Sequence, residues 1–231
     1  GTTGSSLNRI LSFGAGAVVT KSIGTLPKEG HAGPCLIVLE DGLLNAMGLP
    51  NPSKEFVDEI ASLQKKPVIA SIFGGNPAEF ALVASWFEGR VAGFELNLSC
   101  PHAEGYGAAI GTDPALVEAC TRAVSVTGIP TWVKLTPNVT DIIAIGKAAE
   151  RGGSSAIVAI NTVKAMRIST GMQRPVLGNR YGGLSGSAVF PIAVRCVYEL
   201  YEACTIPIIG CGGVTTADNV IEMMMAGASA V

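Results

Sequence analysis

Short runs of β-branched and aliphatic residues alternate with longer amphipathic stretches along the whole chain. The apolar runs predict strands at Ala17–Ser22, Pro67–Gly74, Gly93–Cys100, Thr131–Thr136, Ala156–Asn161, Pro207–Gly213 and Ala228–Val231. Most are continuously apolar rather than alternating, the pattern of strands covered on both faces in a parallel sheet. Between them, helical periodicity predicts helices at about Ser5–Phe13, Ser53–Lys65, Pro77–Arg90, Pro114–Thr127, Val139–Arg151, Ser187–Ala203 and Ala217–Ala226. Asn76 before Pro77 and Asp113 before Pro114 each place a capping side chain ahead of a proline at the first helical position.

This alternation, with no break in composition, predicts one parallel α/β domain, either a (β/α)8 TIM barrel or a doubly wound sheet. The barrel is favoured because a helix pattern opens the chain without a strand before it, and the chain stops within a strand. One further strand makes eight. The expectation is therefore a single barrel domain over residues 1–231, an excerpt lacking strand 1 and the segment after strand 8. Connections in such folds usually run to about 2–6 residues, so Gly24–Pro52 and Val163–Leu184 stand out as insertions.

Hydrophobic residues make up 48% of the 231 and charged residues 15%, the latter below the roughly 25% of a typical soluble domain. That excludes a disordered chain and predicts a substantial core. A net charge of −2 gives no basis for binding nucleic acid or an anionic membrane. No run approaches the roughly 18 apolar residues of a membrane span. The six cysteines (Cys35, Cys100, Cys120, Cys196, Cys204 and Cys211) include no C-x-x-C pair, and with two histidines no metal site is expected. A reduced, cytoplasmic setting is the simplest reading.

Catalytic groups of a barrel gather where strands end and βα loops begin. Those positions hold Lys21-Ser22, Gly74-Gly75, Asn97 with Cys100, Lys134, Asn161-Thr162 and Gly212-Gly213. Any one of them alone reads as a solvated strand end; lysines and amides recurring at five ends point to one cleft. Gly210-Cys-Gly-Gly213 before a helix suits backbone capture of a phosphate, and equally suits a plain tight turn. Gly182-Gly-Leu-Ser-Gly186 allows similar close approach of backbone. Cys100 ends a strand, precedes Pro101 and leads into a loop rich in glycine (Gly105, Gly107, Gly111). A thiol there suits a nucleophile or a proton acceptor, and the residues alone leave both open. His102 either lowers its pKa or caps the loop. The other five cysteines fall in helix or strand patterns and are expected to be inert core thiols.

These segments together resemble the class 1 dihydroorotate dehydrogenases, FMN-dependent (β/α)8 enzymes of pyrimidine (UMP) biosynthesis. The resemblance rests on Thr20-Lys-Ser-Ile23, Gly42-Leu-Leu-Asn-Ala-Met-Gly-Leu-Pro-Asn51, Glu95-Leu-Asn-Leu-Ser-Cys-Pro101, Val133-Lys-Leu-Thr-Pro-Asn138, Ile160-Asn-Thr162, Gly182–Gly186 and Pro207–Gly213, in family order. Arg174–Gly186 with Arg195–Leu200 is most similar to the NAD-linked branch, class 1B, of archaeal type.

By position, the resemblance implies Cys100 as the base that removes the C5 proton of dihydroorotate. It implies FMN contacts from Lys21, Ser22, Ser71, Asn97, Lys134, Ile160, Gly186, Gly212 and Gly213, the last two at the phosphate. Substrate contacts fall to Lys21, Asn45, Ala46, Met47, Gly48, Leu49, Asn97, Asn161 and Thr162. It further implies a homodimer and a separate electron-transfer subunit carrying FAD and a [2Fe-2S] cluster. His102 and Ser71 stand where relatives often carry asparagine. Two rival readings are the same chemistry on uracil or thymine, as in the flavin domain of dihydropyrimidine dehydrogenase, and a barrel that binds flavin without turnover.

Overall fold

The computed structural model describes residues 3–61, 63, 66–99 and 110–231. Helix α1 (Gly4–Ser12), opened by a capping box on Thr3, leads into β1 (Val18–Val19). The chain then leaves the main sheet for a hairpin, β2 (Leu36–Leu39) and β3 (Gly42–Asn45). A 3-10 turn at Ser53–Glu55 and α2 (Phe56–Ala61) return it to β4 (Val68–Ile72). From there α3 (Pro77–Ser85), β5 (Gly93–Asn97), α4 (Pro114–Ser125), β6 (Thr131–Leu135), α5 (Ile142–Arg151) and β7 (Ala156–Ala159) alternate. A second excursion carries β8 (Val163–Ala165), β9 (Ile168–Ser169), β10 (Arg174–Pro175) and β11 (Gly182–Ser185). The chain ends with α6 (Phe190–Ala203), β12 (Ile208–Gly210), α7 (Ala217–Met225) and β13 (Ala228–Ala230).

Seven strands form one parallel sheet in the order β1-β4-β5-β6-β7-β12-β13. The order never reverses along the chain, so there is no switch point of the kind a doubly wound sheet requires. Right-handed crossovers in an unreversed order put every helix on one side, and the twisted sheet curls inside them. Neighbouring helices pack in sequence, α3 on α4, α4 on α5, α5 on α6. This is part of a (β/α)8 barrel, and the doubly wound alternative is set aside. Among the described residues, no pairing joins β13 to β1.

Strands β4, β5 and β7 are buried almost throughout, as their unbroken apolar runs require. Phe80, Phe87, Phe94, Leu96 and Leu135 are fully enclosed where helices meet sheet, each side chain stabilising the fold by about 1.5–3 kcal/mol. The expected caps are present: Asn76 accepts from Glu79 N, and Asp113 from Ala115 N and Leu116 N. The strands are shorter than their apolar runs. Lys21 and Ser22 lie between β1 and an isolated Ile23–Ile72 bridge, and Asn161 and Thr162 lie beyond β7.

The two insertions contain strands that periodicity did not reveal. They meet in a four-stranded antiparallel sheet, β2-β3-β11-β8, in which Asn45 pairs with Gly183 and Gly183 with Lys164. Leu44 and Leu177 anchor a separate small core there.

Candidate active site

A cavity of about 480 Å³ opens between the C-terminal ends of the barrel strands and this second sheet. Lys21 enters from beyond β1, Asn97 and Ser99 from the end of β5, Thr136 and Asn138 from beyond β6, Asn161 and Thr162 from beyond β7. Asn45 and the turn Ala46–Leu49 close the opposite wall. All nine expected substrate contacts therefore share one cavity. The turn needs Gly48: its φ is +74°, and a Cβ would lie 2.6 Å from the His31 amide nitrogen. Leu49 also takes a left-handed φ of +55°. The turn is anchored by His31 N donating to Met47 O and Ala46 N donating to Cys35 O.

The polar side chains form a connected series. Asn161 Nδ2 donates to Asn97 Oδ1 at 3.3 Å, and Asn97 Nδ2 donates to Ser22 Oγ at 3.1 Å. Ser22 Oγ lies 2.9 Å from Ser71 Oγ, and Ser71 is in register with Glu95 on the neighbouring strand. Glu95 in turn lies 3.9 Å from Lys134 Nζ. Ser71 is thus buried between Ser22 and Glu95 rather than on the cavity wall.

The remaining expected cofactor contacts form a contiguous band. Lys134 is electrostatically coupled to Cys211. Cys211 and Ile160 are joined by Ile160 N donating to Cys211 O at 2.7 Å. Gly212 (φ +134°) packs against Ile160 and Ala193, while a Cβ on Gly213 (φ +71°) would strike Phe190 at 2.7 Å and Gly186 O at 2.8 Å. Backbones at Gly186, Gly212 and Gly213 thus converge beside the start of α6, a cradle any side chain would fill. Half-buried glycine backbone ahead of a helix suits a phosphate group.

Burial lowers the Lys21 pKa below its ordinary value. Lys134 is held above its own: burial alone would lower it, but the Glu95 carboxylate and Cys211 outweigh that. Glu95 is raised by burial, with Lys134 and Ser71 drawing it back.

Cys100, with Pro101, His102, Gly105 and Gly107, lies outside the described residues; Ser99 brings the chain to the cavity wall immediately before it. The expectation of five inert core cysteines is corrected. Cys120, its pKa pushed up to about 12 by burial, and Cys196 are core thiols. Cys35, Cys204 and Cys211 are half-buried at a loop, a helix end and a strand end, because the apolar runs around them outlast the secondary structure. Periodicity also missed Lys28, Lys164 and Tyr181 on the cavity wall, all in the insertions. Asn138 sits inside a quoted motif but drew no attention; its side chain donates to Thr162 O and accepts from Lys164 N. Among the described residues, no cluster of His, Cys, Asp or Glu could hold a metal, and no helix is long and apolar enough to cross a membrane.

A barrel with lysines and amides gathered at its strand ends around a cavity, beside a glycine turn ahead of a helix, has the layout of enzymes that work at the C-terminal face of this fold. Comparison with known proteins narrows the class. The model of the dihydroorotate dehydrogenase family matches residues 1–231, and the chain belongs to that family. It is 60% identical to the protein named dihydroorotate dehydrogenase B (NAD(+)), catalytic subunit, of Methanocella arvoryzae, covering 100% of this chain and 78% of that one. Against the protein of the same name from Methanosarcina mazei, identity is 60%, covering 100% and 76%. Against that from Pyrococcus horikoshii it is 51%, covering 97% and 75%.

Proposed function

We propose that this chain is the catalytic subunit of a class 1B, NAD-linked dihydroorotate dehydrogenase, oxidising dihydroorotate to orotate in pyrimidine biosynthesis. The observation that carries this reading is the cavity itself. It joins all nine expected substrate residues and three lysines (Lys21, Lys28, Lys164), with no aspartate or glutamate among its described lining residues. Such a pocket favours an anionic ligand bearing a carboxylate over neutral uracil or thymine. That weighs against the dihydropyrimidine reading.

The chain's own residues divide the work. Lys21 pairs with the substrate carboxylate, and Asn97 and Asn161 hydrogen-bond the pyrimidine ring. Asn45 and the Ala46–Leu49 turn hold the ring from the other side. Cys100 Sγ takes the C5 proton. The glycine cradle and Lys134 fit FMN, Gly212 and Gly213 at its phosphate and Lys134 at the isoalloxazine, with Ile160 and Gly186 completing the band. When bound, FMN supplies the hydride acceptor for C6. Lys134 then offers positive charge where negative charge develops. The electrons leave through a partner subunit carrying FAD and a [2Fe-2S] cluster, docked on a homodimer of catalytic subunits.

The test is anaerobic mixing of the flavin-loaded subunit with dihydroorotate. Bleaching of the flavin by dihydroorotate but not by dihydrouracil is expected, and the reverse preference overturns the assignment. Cys100→Ala should slow that bleaching by about 10²–10⁴-fold, the usual scale of general-base catalysis, while leaving the flavin bound. Unchanged bleaching would remove the thiol from the mechanism.

A further inference from the structure

Asn51 is buried, 6% exposed, and is not among the residues that line the cavity. Its side chain nevertheless makes three hydrogen bonds. Oδ1 accepts from Gly24 N at 3.3 Å and from Ser53 N at 2.9 Å, and Nδ2 donates to Leu49 O at 2.9 Å. Its backbone makes two more, exchanging N–H···O bonds of 2.9 Å with Lys28. Four non-glycine residues carry a left-handed φ among the described residues. Two of them, Leu49 at +55° and Ser53 at +57°, stand two positions to either side of Asn51. Such backbone is costly and persists only where its surroundings hold it. Here one amide bonds both.

These bonds join parts of the proposed site that lie apart in the chain. Gly24 directly follows the Ile23–Ile72 bridge, where Ile23 N donates to Ser71 O and Phe73 N to Ile23 O, so it belongs to the barrel rim. On the other side of Lys21, Thr20 N donates to Ile69 O. The backbone that carries Lys21 is thus held to the barrel at both ends. Leu49 closes the Ala46–Leu49 turn on the opposite wall, and Lys28 also lines the cavity. The turn's own ties run to His31 and Cys35 within the same insertion, and Asn45 ahead of it pairs with the second insertion. None of those three ties reaches a barrel strand. Asn51 makes that connection, and Ser53 Oγ, 2.9 Å from both Gly24 O and Thr25 O, reinforces it. We infer that Asn51 is a positioning residue that sets the gap between Lys21 and the Ala46–Leu49 turn, and with it how tightly the cavity grips a ligand bridging them. This inference rests on the functional reading above, since it needs a pyrimidine carboxylate that spans Lys21 and the turn.

Two variants break the joint to different extents. Asn51→Ala removes all three side-chain bonds. Asn51→Asp keeps the two acceptor bonds but loses the donor, because an ionised carboxylate only accepts and turns a lone pair on Leu49 O. Orotate is titrated into the flavin-loaded wild type and both variants, followed by the flavin spectrum, beside steady-state kinetics with dihydroorotate and an artificial dye. Both variants should keep their flavin and weaken orotate binding about tenfold, the scale of one mis-set hydrogen bond. KM should rise with kcat much less affected. A merely structural role would lower flavin content and kcat at unchanged KM, and that result overturns the inference. Orotate bound by Asn51→Asp as tightly as by wild type overturns it too. If neither variant folds, Ser53→Gly decides: it removes the hydroxyl from the same joint on backbone whose φ of +57° glycine adopts freely. It should weaken orotate binding severalfold, and unchanged binding there refutes the inference. Wild type that holds flavin but ignores orotate would instead refute the functional reading, so the two failures are told apart.

Discussion

The chemistry of this site is concentrated in a few side chains whose protonation is set by burial and by neighbouring charge. Lys21 is the clearest case: half-buried, it is held below the ordinary lysine value of 10.5 because the enclosed ammonium is poorly solvated. An anionic ligand favours the charged form, so ligand affinity is highest below the Lys21 pKa and falls as pH rises through it. Orotate titrated from neutrality upward should therefore weaken at a pH short of 10.5. Lys21→Met should bind weakly throughout, without that dependence. A wild-type affinity that stays constant until the ordinary lysine range would show that Lys21 does not meet the carboxylate. At this scale the sequence was legible where a polar residue interrupts the end of an apolar run and the structure brings it to the cavity, as at Lys21, Asn97 and Asn161. Glu95 was not, because a polar residue inside a strand gives no sign of what it faces.

Among the elements, the glycine loop after β12 shows why backbone conformation matters as much as side chains. Gly213→Ala places a Cβ at φ +71° and 2.7 Å from Phe190 Cβ, at the start of α6. The left-handed conformation alone costs about 1–2 kcal/mol. Gly128→Ala carries the same strain at φ +74° but meets nothing within 4 Å. Both variants should melt earlier, and only Gly213→Ala should lose FMN affinity, by roughly tenfold or more. Equal flavin retention in the two would separate this loop from the phosphate. The barrel strands were readable from their unbroken apolar runs. The strands of the insertions were not: Leu36–Leu39 carries an apolar run too, but no helical stretch separates it from the next strand, so it fell outside the strand–helix alternation that marked the barrel.

For the molecule as a whole, the sequential sheet order separates the barrel from a doubly wound alternative that apolar runs alone could not exclude. The relatives' shared description as a catalytic subunit bears on how electrons leave. Under the function proposed above, the catalytic subunit alone should reduce artificial dyes but not NAD, and adding the proposed FAD and iron–sulfur partner should create NAD reduction. NAD turnover without that partner would contradict the assignment. The pairing of Asn45 with Gly183 has one more consequence. The two insertions, well over a hundred positions apart in the chain, are stitched edge to edge, so neither wall of the pocket is an independent module. A redesign that borrows one insertion from a differently selective barrel would import half a seam. Substrate preference in this scaffold should be exchangeable only when both excursions are transplanted together, and natural recombination would face the same constraint.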